Sequence, residues 1–216
     1  MKRITIIAGH YGSGKSEISV NLALANKVDY FVDLDIINPY FRTRALDQLF
    51  EEHGIHLVES TVKGMLNSDM PYVSGEGAVP FVNTNLTAIY DLGGTENGAR
   101  VLVQFVDRAT DFENIDFLCT VNIYRPETAT AEKILQTITL LEAETQLKIT
   151  GLINNTNLMD ETTEQDIIDG EEVLKEVSKQ LQIPIVYTVV EEHKNFTRAF
   201  EGERINLNRY VARKWL

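Results

Sequence analysis

Eight consecutive residues near the N-terminus have the spacing of a phosphate-binding loop. The pattern is G-x-x-x-x-G-K-S, and its residues are Gly9, His10, Tyr11, Gly12, Ser13, Gly14, Lys15 and Ser16. Glycines let the backbone curl so that successive N–H groups point at phosphate oxygens, and the N-terminus of a following helix adds partial positive charge. In this pattern Lys15 reaches the β- and γ-phosphates and the Ser16 hydroxyl ligates magnesium. The segment therefore predicts a site for a nucleoside triphosphate with Mg²⁺.

Carboxylates follow two short β-branched runs farther along the chain. Asp33 and Asp35 come at the end of one run, and Asp91 ends another, with Gly94 three residues later. The carboxyl ends of parallel strands meet at the edge of a sheet where ligands bind. We expect Asp91 to hold magnesium through water, Asp33 to support the metal shell, and Asp35 to orient the attacking water. The Gly94 N–H is expected to contact the γ-phosphate, and either Asp33 or Asp35 could instead cap a turn.

These residues are positioned by an alternation of short apolar runs with segments of helical spacing. The runs are Ile4–Ala8, Tyr30–Asp33, Ile55–Val58, Ala88–Asp91, Phe117–Asn122, Ile149–Asn154 and Pro184–Val189. Most are continuous rather than alternating, as parallel strands covered on both faces are. The alternation predicts an α/β fold with a doubly wound, mostly parallel sheet and helices on both faces. Residues 1–216 are expected to form a single nucleotide-binding domain.

Helical spacing of apolar residues predicts helices over residues 101–109, 134–141 and 173–181, in addition to the segment 17–26 behind the phosphate loop. Thr162 with Gln165 resembles a capping box before the last of them. Ser60 to Asn85 has no sustained period, and we expect either a lid over the nucleotide or a short hairpin there.

Composition limits the partners. The 216 residues carry a formal net charge of −12, which disfavours nucleic acid. The single cysteine, Cys119, is expected to be a buried strand residue in a protein of the reducing cytoplasm. Because the chain has no run of about 18 apolar residues, we expect no membrane span. The basic segment Leu207–Leu216 is expected to be a closing helix docked on the sheet rather than a membrane anchor.

Taken together, the phosphate loop, Asp33-x-Asp35 and Asp91-x-x-Gly94 resemble the SIMIBI class of P-loop NTPases. The similarity covers most of the chain and looks closest to uncharacterised ATP-binding proteins with a MinD/ParA/cobyrinate-amidase-like nucleotide-binding domain. It implies that Asp35 activates water, that Asp91 binds magnesium, and that the protein works as a homodimer. In MinD/ParA loops a lysine follows the first glycine, whereas His10 stands here, so the resemblance does not extend to a lysine-dependent dimer.

The segment Asn154-Asn155-Thr156-Asn157 follows the sixth predicted strand, where related GTPases carry Asn-Lys-x-Asp. An asparagine amide offers one acceptor and one donor group and cannot match the two donors of guanine as an aspartate does. A donor can meet an acceptor nitrogen of adenine, so the segment favours ATP over GTP. Asn154 is an alternative base reader, and Asn155 with Asn157 could simply form an Asx turn.

The sequence therefore predicts a Mg²⁺-dependent ATP-binding protein, with slow ATPase activity that acts as a nucleotide-controlled switch toward an unidentified protein partner or small metabolite. Three alternatives stay open: a small-molecule kinase or ATP-dependent ligase, a GTPase of the metal-insertion type, and a module that senses nucleotide without hydrolysing it.

Overall fold

The computed structural model describes residues 1–34, 44–58, 74–93 and 96–211. In these ranges eight strands form one sheet, and every neighbouring pair is parallel. The strands are β1 (Ile4–Gly9), β2 (Tyr30–Asp33), β3 (His56–Val58), β4 (Ala88–Asp91), β5 (Ile115–Val121), β6 (Gly151–Asn154), β7 (Ile185–Glu191) and β8 (Glu203–Leu207). Their order across the sheet is β3-β2-β4-β1-β5-β6-β7-β8. The strand that leads into the phosphate loop therefore lies in the interior of the sheet.

Helices cover both faces of this sheet. They are α1 (Lys15–Asn26), α2 (Arg44–Glu52), α3 (Val79–Val82), α4 (Glu96–Val106), α5 (Ala131–Thr145) and α6 (Glu164–Leu181). One core cluster joins the sheet to the helices α3, α4, α5 and α6, through residues such as Phe81, Leu102 and Ile134. A second cluster joins it to α1 and α2, through Ile18 and Phe50. The predicted doubly wound α/β architecture is confirmed.

The seven strands predicted from apolar runs are all present, with ends that shift by a few residues. The eighth, β8, was not predicted because its sequence, Glu-Arg-Ile-Asn-Leu, contains only two apolar residues. Among the described residues it pairs with β7 alone and forms the last strand of the sheet, so polar side chains there face solvent. Cys119 is buried in β5 as expected, and this burial raises the pKa of its thiol to about 12.

The start of α6 lies one residue from the predicted capping box. The N-cap is Thr163, whose hydroxyl accepts from the Asp166 N–H at 3.3 Å, while the Asp166 carboxylate accepts from the Thr163 N–H at 2.7 Å. Thr162, which was predicted to start the box with Gln165, instead donates its hydroxyl to the Met159 carbonyl at 2.6 Å. Aspartate can replace glutamate or glutamine in this motif, because its carboxylate reaches the same backbone N–H.

Two other predicted segments differ from expectation where the structure describes them. Within 60–85, residues 74–85 form a 3₁₀ turn followed by α3, which packs on the core through the fully buried Phe81. Residues 60–73 lie outside the described residues, so a lid there stays a prediction. At the C-terminus, Leu207 ends β8 and residues 208–211 are irregular rather than helical, while 212–216 lie outside the described residues. In the part of the chain described, no helix has the length and apolar character needed to cross a bilayer.

Candidate functional site

The phosphate loop joins the end of β1 to the start of α1. Gly9 is the last residue of β1, and Gly14 is the N-cap of α1, with a left-handed φ of 89°. A Cβ on Gly14 would overlap the amide nitrogen of Asn155. A Cβ on Gly9, whose φ is 151°, would overlap the carbonyl oxygen of Thr120 and lie 2.9 Å from the Ser13 hydroxyl. Both positions therefore need glycine, for the backbone angle and for the close approach of neighbouring chain.

Inside the loop, the carbonyl of His10 accepts two hydrogen bonds. It accepts the Ser13 N–H at 3.1 Å and the Lys15 ammonium at 3.3 Å. The Lys15 side chain is buried, with 5% of its surface exposed, while Ser16 is half-buried in the first turn of α1. A positive charge held on a backbone carbonyl at a helix N-terminus has the chemistry to bind a phosphate.

Two carboxylates lie at the same edge of the sheet, beside this loop. The register pairs Asp33 of β2 with Asp91 of β4, and Asp91 in turn with Ile7 of β1. The Ser19 hydroxyl of α1 donates to Asp91 at 3.3 Å, which ties this buried carboxylate to the helix that follows the loop. Asp33, Asp91 and the Ser16 hydroxyl offer oxygen atoms, the ligand type that Mg²⁺ prefers. The donor set therefore fits a magnesium ion.

Two predicted site residues, Asp35 and Gly94, lie outside the described residues. Their roles in orienting water and in contacting the γ-phosphate stay predictions.

The three asparagines after β6 occupy three different environments. Asn154 is fully buried, and its amide donates to the Ile167 carbonyl at 2.9 Å and accepts the Thr156 N–H at 3.1 Å. Asn155 is also buried, and its amide donates to the Ser13 carbonyl of the phosphate loop at 2.7 Å. Both side chains are thus used within the protein, one to hold the loop after β6 and the other to hold the phosphate loop.

Asn157 alone of the three is half-exposed, and it lines a cleft beside the phosphate loop. Its amide donates to the Asn155 carbonyl at 2.7 Å and accepts the Met159 N–H at 3.3 Å. Because an asparagine amide carries two hydrogens, one donor remains that these two bonds do not use. Asn157 is therefore the most exposed of the three asparagines, at a cleft that Asn155 also lines.

The cleft itself has a cavity volume of about 90 Å³. Its walls come from the phosphate loop and from the loops after β5, β6, β7 and β8, and its lining includes Gly12, Gly14, Arg125, Asn157, Lys194, Phe196 and Arg209. Sequence reasoning missed Arg125, Lys194, Phe196 and Arg209, because they follow different strands and share no local motif. Their common position directly after parallel strands is the signal that could have identified them.

Charged side chains hold two walls of the cleft together. The Lys194 ammonium donates to the carbonyls of Asp160 and Thr162, at 2.6 and 2.9 Å. Arg209 donates to Glu191 at 3.0 Å and to Asp160 at 2.9 Å. Asp160, Glu191 and His193 bring three potential metal ligands within 4.8 Å of one another, but the Arg209 guanidinium already supplies positive charge to both carboxylates. These contacts tie the loops after β6, β7 and β8 to one another.

Comparison with known proteins identifies the fold. The sequence matches no known protein family and no curated protein. Among solved structures, cell division protein FtsY from Thermotoga maritima is 18% identical with a TM-score of 0.55, over 89% of this chain and 63% of that one. Signal recognition particle receptor FtsY from Elizabethkingia anophelis, in complex with GDP, is 18% identical with a TM-score of 0.53, over 89% of this chain and 58% of that one.

Chloroplast FtsY from Physcomitrella patens is 16% identical with a TM-score of 0.52, over 87% of this chain and 58% of that one. This chain therefore spans no more than 63% of the length of the FtsY structures it resembles. Likeness at this level of identity shows the fold alone. The chain accordingly has the parallel α/β fold of the FtsY structures.

Proposed function

We propose that this chain is a Mg²⁺-dependent ATPase whose slow hydrolysis switches its conformation. The observation that carries the proposal is the position of Asp91, which lies beside the phosphate-loop strand and accepts a hydrogen bond from Ser19 of α1. A glycine-rich loop alone can arise at any tight turn. A buried carboxylate at the neighbouring strand end is the additional feature that a triphosphate with its metal ion requires.

In this proposal each described residue has a separate task. The backbone N–H groups of the loop surround the phosphates, and the Lys15 ammonium leaves the His10 carbonyl to bind the β- and γ-phosphates. Ser16 and Asp91 hold the magnesium ion, with Asp33 supporting its shell. Bound there, the ion would neutralise the charge that develops on the phosphate oxygens.

Hydrolysis needs an attacking water as well, and we assign its orientation to Asp35. In phosphoryl transfer most catalysis comes from positioning and charge neutralisation rather than from covalent chemistry. A single carboxylate and a backbone contact from Gly94 would therefore suffice for a slow reaction. After hydrolysis, a change in the conformation of the segments around Asp35 and Gly94 would be passed to a protein partner, or to a second copy of this chain.

The base is assigned to the cleft, with Asn157 as its reader. The Asn157 amide accepts one N–H from Met159 and donates one hydrogen to Asn155, which leaves a donor for the base. Adenine presents acceptor nitrogens to such a donor, whereas guanine presents two donors that a carboxylate matches better. This supports ATP.

GTP is the second candidate, favoured by one observation. FtsY from Elizabethkingia anophelis, which shares this fold, was solved in complex with GDP.

Titration calorimetry with ATP and GTP in the presence of MgCl₂ tests the proposal, using wild-type protein, Lys15→Ala and the surface control Lys179→Ala. We expect wild type and Lys179→Ala to bind ATP alike. Lys15→Ala should bind about 100-fold more weakly, because a hydrogen bond to a charged group contributes roughly 1.5–3 kcal/mol. ATP binding by Lys15→Ala equal to that of wild type would contradict the assignment of the phosphate loop. Tighter binding of GTP than of ATP would make GTP the nucleotide of the proposed function.

Product analysis by chromatography then tests hydrolysis, with Asp35→Asn compared to wild type. Slow release of ADP that Asp35→Asn abolishes would support the switch ATPase. Binding without any ADP release would rule out the ATPase and leave the kinase or the sensor as the activity to pursue.

A further inference from the structure

Arg125 lies directly on the phosphate loop, although it belongs to the loop after β5. Its Nε donates to the Gly12 carbonyl at 3.0 Å. A Cβ on Gly12 would meet three atoms of the guanidinium at 3.2 to 3.4 Å. The absence of a side chain at position 12 therefore lets the guanidinium rest against the loop backbone, 113 residues away in the sequence.

The turn that carries Arg125 is well fixed. The carbonyl of Asn122 accepts the Arg125 N–H at 3.0 Å and the buried Thr128 hydroxyl at 2.7 Å. The Arg125 carbonyl in turn accepts the Thr128 N–H at 3.0 Å. The backbone at position 125 is thus held through both its N–H and its carbonyl, so the arginine side chain starts from a fixed backbone position beside the phosphate loop.

The charge of Arg125 differs in use from that of the other cations in the cleft. Lys194 donates to two carbonyls across the cleft wall, and Arg209 is paired with Glu191 and Asp160. Arg125 gives one N–H to a neutral carbonyl, and no carboxylate of the described ranges forms an ion pair with it. Its side chain is exposed and lines the same cleft as Gly12 and Gly14.

We infer that Arg125 is a second cation, besides Lys15, that binds the phosphates of the nucleotide; the inference rests on the proposed function. A chain with a net charge of −12 repels a polyanion at long range, so local cations must offset that repulsion. A guanidinium carries five N–H donors in a fixed plane. With Nε on the Gly12 carbonyl, the two terminal nitrogens stay available for a two-pronged contact with phosphate oxygens.

The test compares Arg125→Ala, Arg125→Gln and Arg125→Lys with wild type and with the exposed control Arg108→Ala. Calorimetry measures the affinity of each for ATP, ADP and AMP with Mg²⁺. We expect Arg125→Ala and Arg125→Gln to lose roughly 10- to 100-fold in ATP affinity. The loss should be smaller for ADP and least for AMP, and the salt dependence of ATP binding should weaken. Arg125→Lys should keep part of the affinity, and Arg108→Ala all of it.

Arg125→Gln separates phosphate binding from support of the loop, since it keeps an N–H donor for the Gly12 carbonyl and loses the charge and the two terminal nitrogens. ATP affinity of Arg125→Gln equal to wild type, or an equal loss for all three nucleotides, would overturn the inference. Wild-type ATP binding that depends on Lys15 but not on Arg125 would overturn this inference alone. Failure of wild type to bind any nucleotide would overturn the proposed function and this inference with it.

Discussion

The two halves of the cleft are built in opposite ways. On the phosphate side, consecutive residues form the site, and the positive φ angles of Gly9, Gly12 and Gly14 shape the loop. On the base side, the site is assembled from loops after β6, β7 and β8. There Asn154 and Asn155, which the sequence offers as base readers, are buried and hydrogen bonded to the protein.

This difference shows how polar residues near a site divide into those that bind a ligand and those that hold the site in shape. Asn155 donates across 142 residues of sequence to the Ser13 carbonyl, so it links the base side to the phosphate side. Asn157, two residues later, is half-exposed at the cleft, and its amide bonds to Asn155 and Met159 of its own loop. Substitutions on the two sides should accordingly affect binding in different ways, from the largest effect to the smallest as follows.

Gly14→Ala should produce the largest effect, on the phosphate side. Position 14 has a left-handed φ of 89°, which alanine rarely adopts, and the new methyl group would overlap the Asn155 amide, so the loop must shift. Loss of two or more N–H contacts to phosphate should weaken ATP binding by roughly 100-fold or more, measured by calorimetry. The control is Gly75→Ala, where a methyl group meets nothing within 4 Å. An unchanged ATP affinity in Gly14→Ala would contradict a preformed loop.

Gly170→Ala should disturb the base side instead. A Cβ there would overlap the Thr156 hydroxyl and lie 2.6 Å from the Thr156 Cβ, both in the buried contact between α6 and the loop after β6. Overpacking of this kind costs about 2 kcal/mol of unfolding free energy, which lowers the melting temperature by about 4–8 °C. Thermal unfolding of Gly170→Ala, compared with Gly75→Ala, measures this fall in melting temperature. A melting temperature raised by the better helix propensity of alanine would show that the loop after β6 moves freely.

Asn157→Asp should change the choice of base. A carboxylate accepts the two donors of guanine, so the ratio of GTP to ATP affinity should rise about 10-fold, the effect of one hydrogen bond to a charged group. Calorimetry with both nucleotides measures this ratio. An unchanged ratio, with both nucleotides bound as in wild type, would remove Asn157 from contact with the base.

Asn155→Ala should have the smallest effect, and it should not discriminate between bases. It removes the 2.7 Å bond to the Ser13 carbonyl, a contribution of about 1 kcal/mol, or roughly a 5-fold loss of affinity through the phosphate loop. ATP and GTP affinity should fall together, so that their ratio stays that of wild type. A change in this ratio would instead assign Asn155 to base recognition.

Most of the fold could be predicted from the sequence, because its strands are continuous apolar runs between segments of helical period. The strand that was not predicted is β8, where Ile205 and Leu207 are the only apolar residues and one edge has no strand neighbour within the described ranges. Such a strand depends on its hydrogen bonds to β7 rather than on apolar runs, and those bonds join residues that are 16 positions apart, as in the pair of Tyr187 with Glu203. The capping residue Thr163 was missed by one position, which is the usual error at helix ends.

What the sequence by itself determined is the phosphate loop with its strand and helix, since the glycines, Lys15 and Ser16 of its motif lie within eight consecutive positions. Tertiary structure alone decided that Asp33 and Asp91 lie side by side, that Asn155 supports the loop, and that Arg125 rests on Gly12. The physical reason is that these contacts come from the order of strands in a parallel sheet. That order brings the carboxyl ends of distant strands to one edge, while nothing in the local sequence near each residue records its neighbour.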